Sequence, residues 1–457
     1  MSIRQPAPAE HNGPNSTPPP DASRRQWLQA LSLAPAAVAL AAQTSPAPAQ
    51  AAKVKTQAQI LILGSGLGGI AVASRLSALL DGARITIVDR KEEHNYQPGY
   101  TLVASGVWPK SKVVNRNEEF HPGGVQWVKD MATEVDPEAR TVRTAGGQLL
   151  RYDYLVVATG THQDWGLIEG MDVARIGQNG LGSVYPSAEA AAATWQAMDA
   201  FTRKGGEAVM TLSNTPIKCA GAPLKMTFMV RDRLRQAGML DKSRINFMCG
   251  PKVVFGVPPV AEAVLSRWQE MNIGVQYQHV LKAVDIDARQ ATFQTPDGQL
   301  HKRSYDFLHA VPPMRAPDVI KNSALAWQAG PNAGGGWLEV DKETLQHKRY
   351  PNVFGVGDIN GTPRGKTAAT IKKSAPIVAH NLAAVIAGQS PQERFDGYTS
   401  CPLITREGSA WLVEFDYEGR LTPTIPVIDP LQDSFMAWMM KVRLLKPAYI
   451  GVLKGHV

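Results

Sequence analysis

Cysteine is scarce in this chain: three in 457 residues, Cys219, Cys249 and Cys401, with no CxxC among them. The ten histidines show no ligand-like spacing either, so no metal site is expected. There is no run of lysine and arginine interleaved with aromatics. The formal charge of +8 therefore reads as a solvated basic face that favours anionic partners or an anionic membrane surface, and no nucleic acid is expected as a partner. The apolar run at residues 30–42 is too short to span a bilayer by itself.

Apolar content is ordinary, and the length allows two domains plus appendages. Residues 1–22 are rich in proline, serine and asparagine and lack periodicity. Ser23-Arg24-Arg25-Gln26-Trp27-Leu28 follows, then the modest apolar run, then Ala47-Pro48-Ala49-Gln50-Ala51. That order resembles a twin-arginine export signal with its cleavage site, with an uncleaved anchor as the alternative. The expectation is a mature protein beginning near Ala51 and working in the periplasm, peripheral on the outer face of the cytoplasmic membrane.

The mature chain is organised around residues 59–89. A buried apolar run at 60–63 leads directly into Gly64-Ser65-Gly66-Leu67-Gly68-Gly69, the spacing of a dinucleotide-binding turn. Gly64 permits the turn, Gly66 lets backbone approach a pyrophosphate, and Gly69 lets the next helix pack on the strand. A second strand, 85–88, delivers Asp89 where a carboxylate can accept adenosine ribose hydroxyls. Strand, glycines, helix, strand and acid all in register make a chance match improbable. The loop His94-Asn95-Tyr96-Gln97-Pro98 can run back over a bound cofactor, and the buried strand read at 152–161 closes on Ala158-Thr159-Gly160, small residues that let backbone come close.

From residue 165 the pattern restarts, with strands at 207–212, 244–248 and 275–279 and helices at 222–237 and 260–271. Its first strand-to-helix turn has no glycine triplet; Asn214-Thr215-Pro216-Ile217-Lys218-Cys219-Ala220-Gly221 stands there instead. A nicotinamide-dependent disulfide reductase is disfavoured on that ground. The strand 352–358 ends in Gly357-Asp358 and precedes a helix beginning near Lys366-Thr367-Ala368-Ala369; such an acid commonly holds the ribityl chain of FAD, and the alternative is an ordinary N-cap. The tail places Phe435, Trp438, Met439, Val442 and Leu445 at helical spacing with Lys441, Arg443 and Lys446 between them, a helix for a membrane interface, for its own domain or for a dimer partner.

The fold expected is α/β: two Rossmann-like domains, the FAD domain discontinuous, plus a C-terminal membrane- or interface-associated region. The boundaries read as 1–51 leader and signal, 56–165 and 311–390 FAD-binding domain, 166–310 second Rossmann-like domain, and 391–457 C-terminal region. The expected cofactor contacts are Gly64, Ser65, Gly66, Gly69, Asp89, Gln97, Ala132, Thr159, Gly160, Gly357, Asp358 and Lys366.

Several long, ordered blocks now coincide with one family: Tyr96-Gln97-Pro98, Asn214 through Pro223, Leu308-His309-Ala310-Val311-Pro312-Pro313-Met314, Lys366-Thr367-Ala368-Ala369 and Gly397-Tyr398-Thr399-Ser400-Cys401-Pro402-Leu403. Over essentially all of the mature chain the sequence resembles the sulfide:quinone oxidoreductases, closest to the branch with the mitochondrial enzyme. The resemblance implies FAD, a disulfide opened by sulfide to leave a persulfide, and electrons passed to quinone. The flavin subunit of a sulfide dehydrogenase that donates to cytochrome c is a more distant relative, and a flavin protein that binds reactive sulfur without turnover is a third reading.

Cys219 matches one redox cysteine of the family. The resemblance puts the second directly after the Gly-Asp pair, where this chain has Ile359, which can form no disulfide and carry no persulfide. Cys249, at the carboxyl edge of the neighbouring strand, is one candidate to replace it; Cys219 acting with an external thiol, its acidity raised by Lys218, is another. Cys401 reads as structural, and His309 as a core or loop residue.

Overall fold

The structure, a computed structural model, describes residues 52–457; the leader and signal segment expected at 1–51 lies outside the described residues. The chain enters through β1 (Gln59–Leu63), α1 (Leu67–Leu79), β2 (Arg84–Val88), β3 (Gln126–Val128) and β4 (Tyr154–Val157). It continues through β5 (Leu181–Gly182), α2 (Ala188–Lys204), β6 (Gly206–Leu212), α3 (Ala222–Gln236), β7 (Ser243–Cys249), α4 (Pro258–Glu270), β8 (Ile273–Tyr277) and β9 (Phe307–His309). It ends with β10 (Val353–Gly355), α5 (Ala368–Ile386), the hairpin β11 (Thr399–Arg406) and β12 (Ser409–Phe415), then α6 (Phe435–Met439) and α7 (Leu445–Leu453).

Two parallel five-stranded sheets result. The first has the order β10-β4-β1-β2-β3, so the late strand β10 pairs with β4 and the first domain is discontinuous in sequence. The second has the order β5-β9-β6-β7-β8. Both faces of the first sheet are covered, as a parallel sheet requires. Ile60 and Ile62 enter the core shared with α1 and α5, while Leu61 and Leu63 enter the opposite core with Trp337, Leu338 and Ile359. Continuous apolar runs in β1 and β4 are the sequence signature of that double burial.

The C-terminal region is not one unit. The β11–β12 hairpin is core: β12 is buried along its length and β11 packs on α3. Beyond it, α6 and α7 are joined by a π-helical turn, Met440–Leu444. The extra residue in that turn rotates the helix surface. In consequence Trp438 and Lys441 point inward, whereas Phe435, Met436, Met439 and Leu444 are exposed, a different grouping from the single apolar face expected of a regular helix. Ser74 Oγ donates to the Leu453 carbonyl at 2.6 Å and Arg75 Nη1 to that of Val452 at 2.9 Å, so α1 satisfies the last carbonyls of α7. No helix among the described residues is long and apolar enough to cross a membrane.

Candidate active site

At the carboxyl edge of the first sheet the glycine turn has the geometry its spacing predicts. Gly64 sits at φ +107°, where a Cβ would run into the carbonyl of Ala158, and a Cβ on Gly69 would run into that of Gly64. A Cβ on Gly66 meets nothing within 4 Å, and α1 starts there with no side chain capping its free N–H groups. This is an open cradle for an anion. Asp89 is held by two backbone donors, Ser65 N–H at 2.7 Å and Lys91 N–H at 2.9 Å, which leaves its carboxylate with acceptor capacity to spare. Nearby, Thr159 Oγ1 and Asn95 Oδ1 are buried without a hydrogen-bond partner among the described residues. Orphaned polar atoms around an open glycine cradle fit a large polar cofactor with hydroxyls and phosphates.

The other half of this crevice follows β10. Gly357 takes φ +81°, Asp358 is half-buried, and burial raises its carboxyl above the ordinary range against the opposing pull of Lys366 and Lys218. Lys366 Nζ donates to the carbonyls of Asp358 at 2.5 Å and Asn360 at 3.0 Å and lies 3.6 Å over the Trp337 ring; burial lowers its pKa to about 7. Gln97 Oε1 accepts from Lys218 Nζ at 2.8 Å. Ala132 opens the strand Ala132–Asp136 and is half-buried, and Gly160 follows β4 at φ +68°.

Cys219 lies where the second domain meets this crevice. It occupies the left-handed region at φ +49°, unusual for a residue with a Cβ. Two backbone bonds hold it there: its N–H donates to the Lys366 carbonyl at 2.8 Å, and its own carbonyl accepts from Ala222 N–H at 2.8 Å. Strain maintained by its surroundings is a mark of functional positions.

The sulfur that meets Cys219 is that of Cys401. Gly221 makes room for it, since a Cβ there would collide with Cys401 Sγ, and this brings the Cys401 thiol within reach of Cys219 as a hydrogen-bond donor. Cys401 arrives on β11 because the hairpin packs on α3, whose N-terminus follows Cys219 by three residues. The sequence suggests a structural role for Cys401; the structure places its sulfur beside Cys219. Cys249 does not join them. It ends β7 beside Leu212, at the expected carboxyl edge, but its Sγ turns to the Val253 carbonyl at 3.3 Å. Burial there pushes its pKa up to about 12, which makes it a packing thiol.

Two lysines surround the sulfur pair, and neither is the expected Lys218, whose ammonium is taken by Gln97. Lys225, on the first turn of α3, reaches Cys219 Sγ at 3.6 Å. Lys441, on the π turn, is buried and donates to the Pro98 carbonyl at 2.7 Å. The bond from Cys401 chiefly, together with the charges of Lys225 and Lys441, holds the Cys219 thiol well below its ordinary range; Cys401, which gives that bond and is buried, is pushed well above it. Burial alone would lower Lys225, but the two sulfurs raise it above the ordinary lysine range. Burial and the charge of Lys225 bring Lys441 down to about 7. The site thus contains one acidic sulfur, one non-acidic sulfur, a permanent cation and a titrating one.

Residues 58–206 match the family model described as pyridine nucleotide-disulphide oxidoreductase. The mitochondrial sulfide:quinone oxidoreductase of Mus musculus is 37% identical over 400 residues, covering 86% of each chain. That of Dictyostelium discoideum is 36% identical over 395 residues, covering 86% of this chain and 85% of its own. This chain belongs to the sulfide:quinone oxidoreductase family. The crystal structure of the enzyme from Aquifex aeolicus superposes with a TM-score of 0.71 at 22% identity, over 87% of this chain and 92% of that one, and shows the shared fold. Like its family, the chain is an FAD-dependent oxidoreductase, in agreement with the cradle described above. The sequence reading of this family member missed Lys225 and Lys441. The only signal for Lys225 is a lone charge in the apolar start of α3, and Lys441 looks in sequence like one of three solvated basic residues.

Proposed function

We propose that this chain is an exported flavoenzyme that oxidises sulfide, or a related sulfur compound, at the Cys219–Cys401 pair and passes the electrons to quinone. The observation that carries the reading is the meeting of those two sulfurs between Lys225 and Lys441, on the backbone of Lys366. Gly64, Ser65, Gly66 and Gly69 would hold the pyrophosphate of FAD, Asp89 its adenosine ribose, and Gly357, Asp358 and Lys366 its ribityl-flavin half. Gln97, Ala132, Thr159 and Gly160 line the crevice.

Joined as a disulfide, the two cysteines are an electrophile for hydrosulfide. Attack on Cys401 Sγ forms a new S–S bond, leaves a persulfide on Cys401 and releases Cys219 as a thiolate. The direction follows from the charges of Lys225, whose Nζ lies 3.6 Å from Cys219 Sγ, and Lys441, which stabilise the Cys219 thiolate as it leaves. A nucleophilic acceptor, a thiolate or sulfite, takes the outer sulfur from Cys401. The two cysteine sulfurs then lose two electrons in closing the disulfide again. Bound FAD supplies the two-electron acceptor that hands them on to quinone. Ile359, buried against Leu338 and Trp337, takes no part, and the cycle does not need a cysteine there.

Export by the twin-arginine route and a peripheral position on the membrane complete the proposal. They rest on the Arg24-Arg25 motif and on the exposed Phe435, Met436, Met439 and Leu444, an apolar patch of the kind that enters a lipid interface. Mass spectrometry of the sulfide-treated, alkylated protein tests the chemistry. The added sulfur is expected on the Cys401 peptide. Added sulfur on Cys219 instead, or on neither while quinone is being reduced, would overturn the assignment.

A further inference from the structure

Asp89 and three groups around it close into a ring that the sulfur chemistry does not use. Ser65 N–H donates to Asp89 Oδ2 at 2.7 Å, and Ser65 Oγ is hydrogen-bonded to His121 Nε2 at 2.6 Å. The His121 ring stands edge-on to that of Trp127, with centroids 4.7 Å apart and planes at 84°, and Trp127 Nε1 donates to the Asp89 carbonyl at 2.8 Å. Each member comes from a different place: Ser65 from the glycine turn, Asp89 from the end of β2, Trp127 from β3, and His121 from the loop after the short helix Asn117–Phe120. Lys129 Nζ lies 4.5 Å over the Trp127 ring.

The ring matters because Ser65 is 3% exposed. Its hydroxyl is buried at the tightest point of the turn, and His121 is the partner that fixes its rotamer. Without the imidazole, a buried hydroxyl is left to find another acceptor, and Trp127 loses the edge against which it stands. Trp127 in turn anchors the backbone of Asp89.

We propose that His121 is a positioning residue for the adenosine half of FAD: through Ser65 and Trp127 it holds the Asp89 carboxylate in the orientation that accepts the ribose hydroxyls. The inference rests on the placement of the adenosine at Asp89 and is independent of the sulfur chemistry.

The rate of FAD release tests it, followed as recovery of flavin fluorescence when the fully loaded full-length protein is diluted without sulfide. His121→Ala is expected to release FAD about tenfold faster, the scale of one buried hydrogen bond. His121→Gln, whose amide can reach Ser65 Oγ, is expected to restore slow release. His121→Phe keeps the aromatic edge but not the bond, and is expected to release FAD faster than the wild type and His121→Gln. A wild-type rate in His121→Ala, or equal rates in the Gln and Phe variants, would overturn the inference. If His121→Ala fails to fold, the comparison of Gln with Phe decides alone. Asp89→Asn separates the premise from the inference. Fast release there with a wild-type rate in His121→Ala refutes the role of His121 only, whereas a wild-type rate in Asp89→Asn refutes the placement of the adenosine and the inference with it.

Discussion

Cys219 and Cys401 are separated by 182 positions in sequence, and nothing in either's neighbours names the other. Their different acidities follow from a shared hydrogen bond and from the charges of two buried lysines, Lys225 and Lys441, beside Cys219. Lys225 stays charged across the working range, so Lys225→Met is expected to raise the Cys219 thiol pKa by at least about one unit in the reduced protein, measured by alkylation rate against pH. Lys441, at about 7, is charged below that pH and neutral above it. Lys441→Met is therefore expected to slow Cys219 alkylation below about pH 7 and to change little above it. An unchanged profile in both variants would remove the lysines from the account. Cys249→Ser, with its sulfur turned to the Val253 carbonyl, is expected to leave turnover within about a factor of two.

The elements that make the site are of two kinds, and they differ in how much of themselves the sequence shows. The glycine turn is local: strand, turn, helix and acid lie within 31 consecutive residues, each type demanded by its own backbone geometry, and the structure has them as read. The return of β10 to the first sheet, and the absence of a glycine triplet after β6, were legible for the same reason. The hairpin β11–β12 was not, because what gives Cys401 its role is the packing of the hairpin on α3, a contact between distant segments with no local signature. The π turn hid Lys441 likewise, since a regular helical period places that residue among solvated charges. Two substitutions separate these elements. Gly69→Ala, whose Cβ would run into the Gly64 carbonyl, is expected to yield protein with little bound FAD on purification. Gly221→Ala is expected to keep FAD but force the two sulfurs apart, so that the oxidised protein shows free thiols on titration where the wild type shows a closed pair. A closed pair in Gly221→Ala would contradict the packing argument.

At the scale of the whole molecule, one C-terminal segment touches three parts of the machinery. α6 shows its apolar side chains outward, the π turn sends Lys441 to the sulfur pair, and α7 is fastened to Ser74 and Arg75 of α1, the helix that starts at the dinucleotide turn. The segment that would lie on a quinone-bearing membrane is thus also part of the inner wall of the site. Replacing the outward residues alone separates the two roles. Phe435→Ser with Leu444→Ser is expected to abolish sedimentation with anionic lipid vesicles while reduction of a water-soluble quinone by sulfide continues. Vesicle binding at the wild-type level would move the membrane contact elsewhere.

The central claim is that sulfide delivers its electrons through the Cys219–Cys401 pair. It is tested most directly by mixing the FAD-loaded wild type, Cys401→Ser and Ile359→Cys with sulfide in the absence of oxygen and following the visible absorbance of the flavin. The wild type is expected to bleach and to recover its colour when quinone is added, Ile359→Cys to behave as the wild type does, and Cys401→Ser to stay oxidised. A Cys401→Ser protein that bleaches as fast as the wild type, or a wild type that responds only once Ile359 is replaced by cysteine, would contradict it.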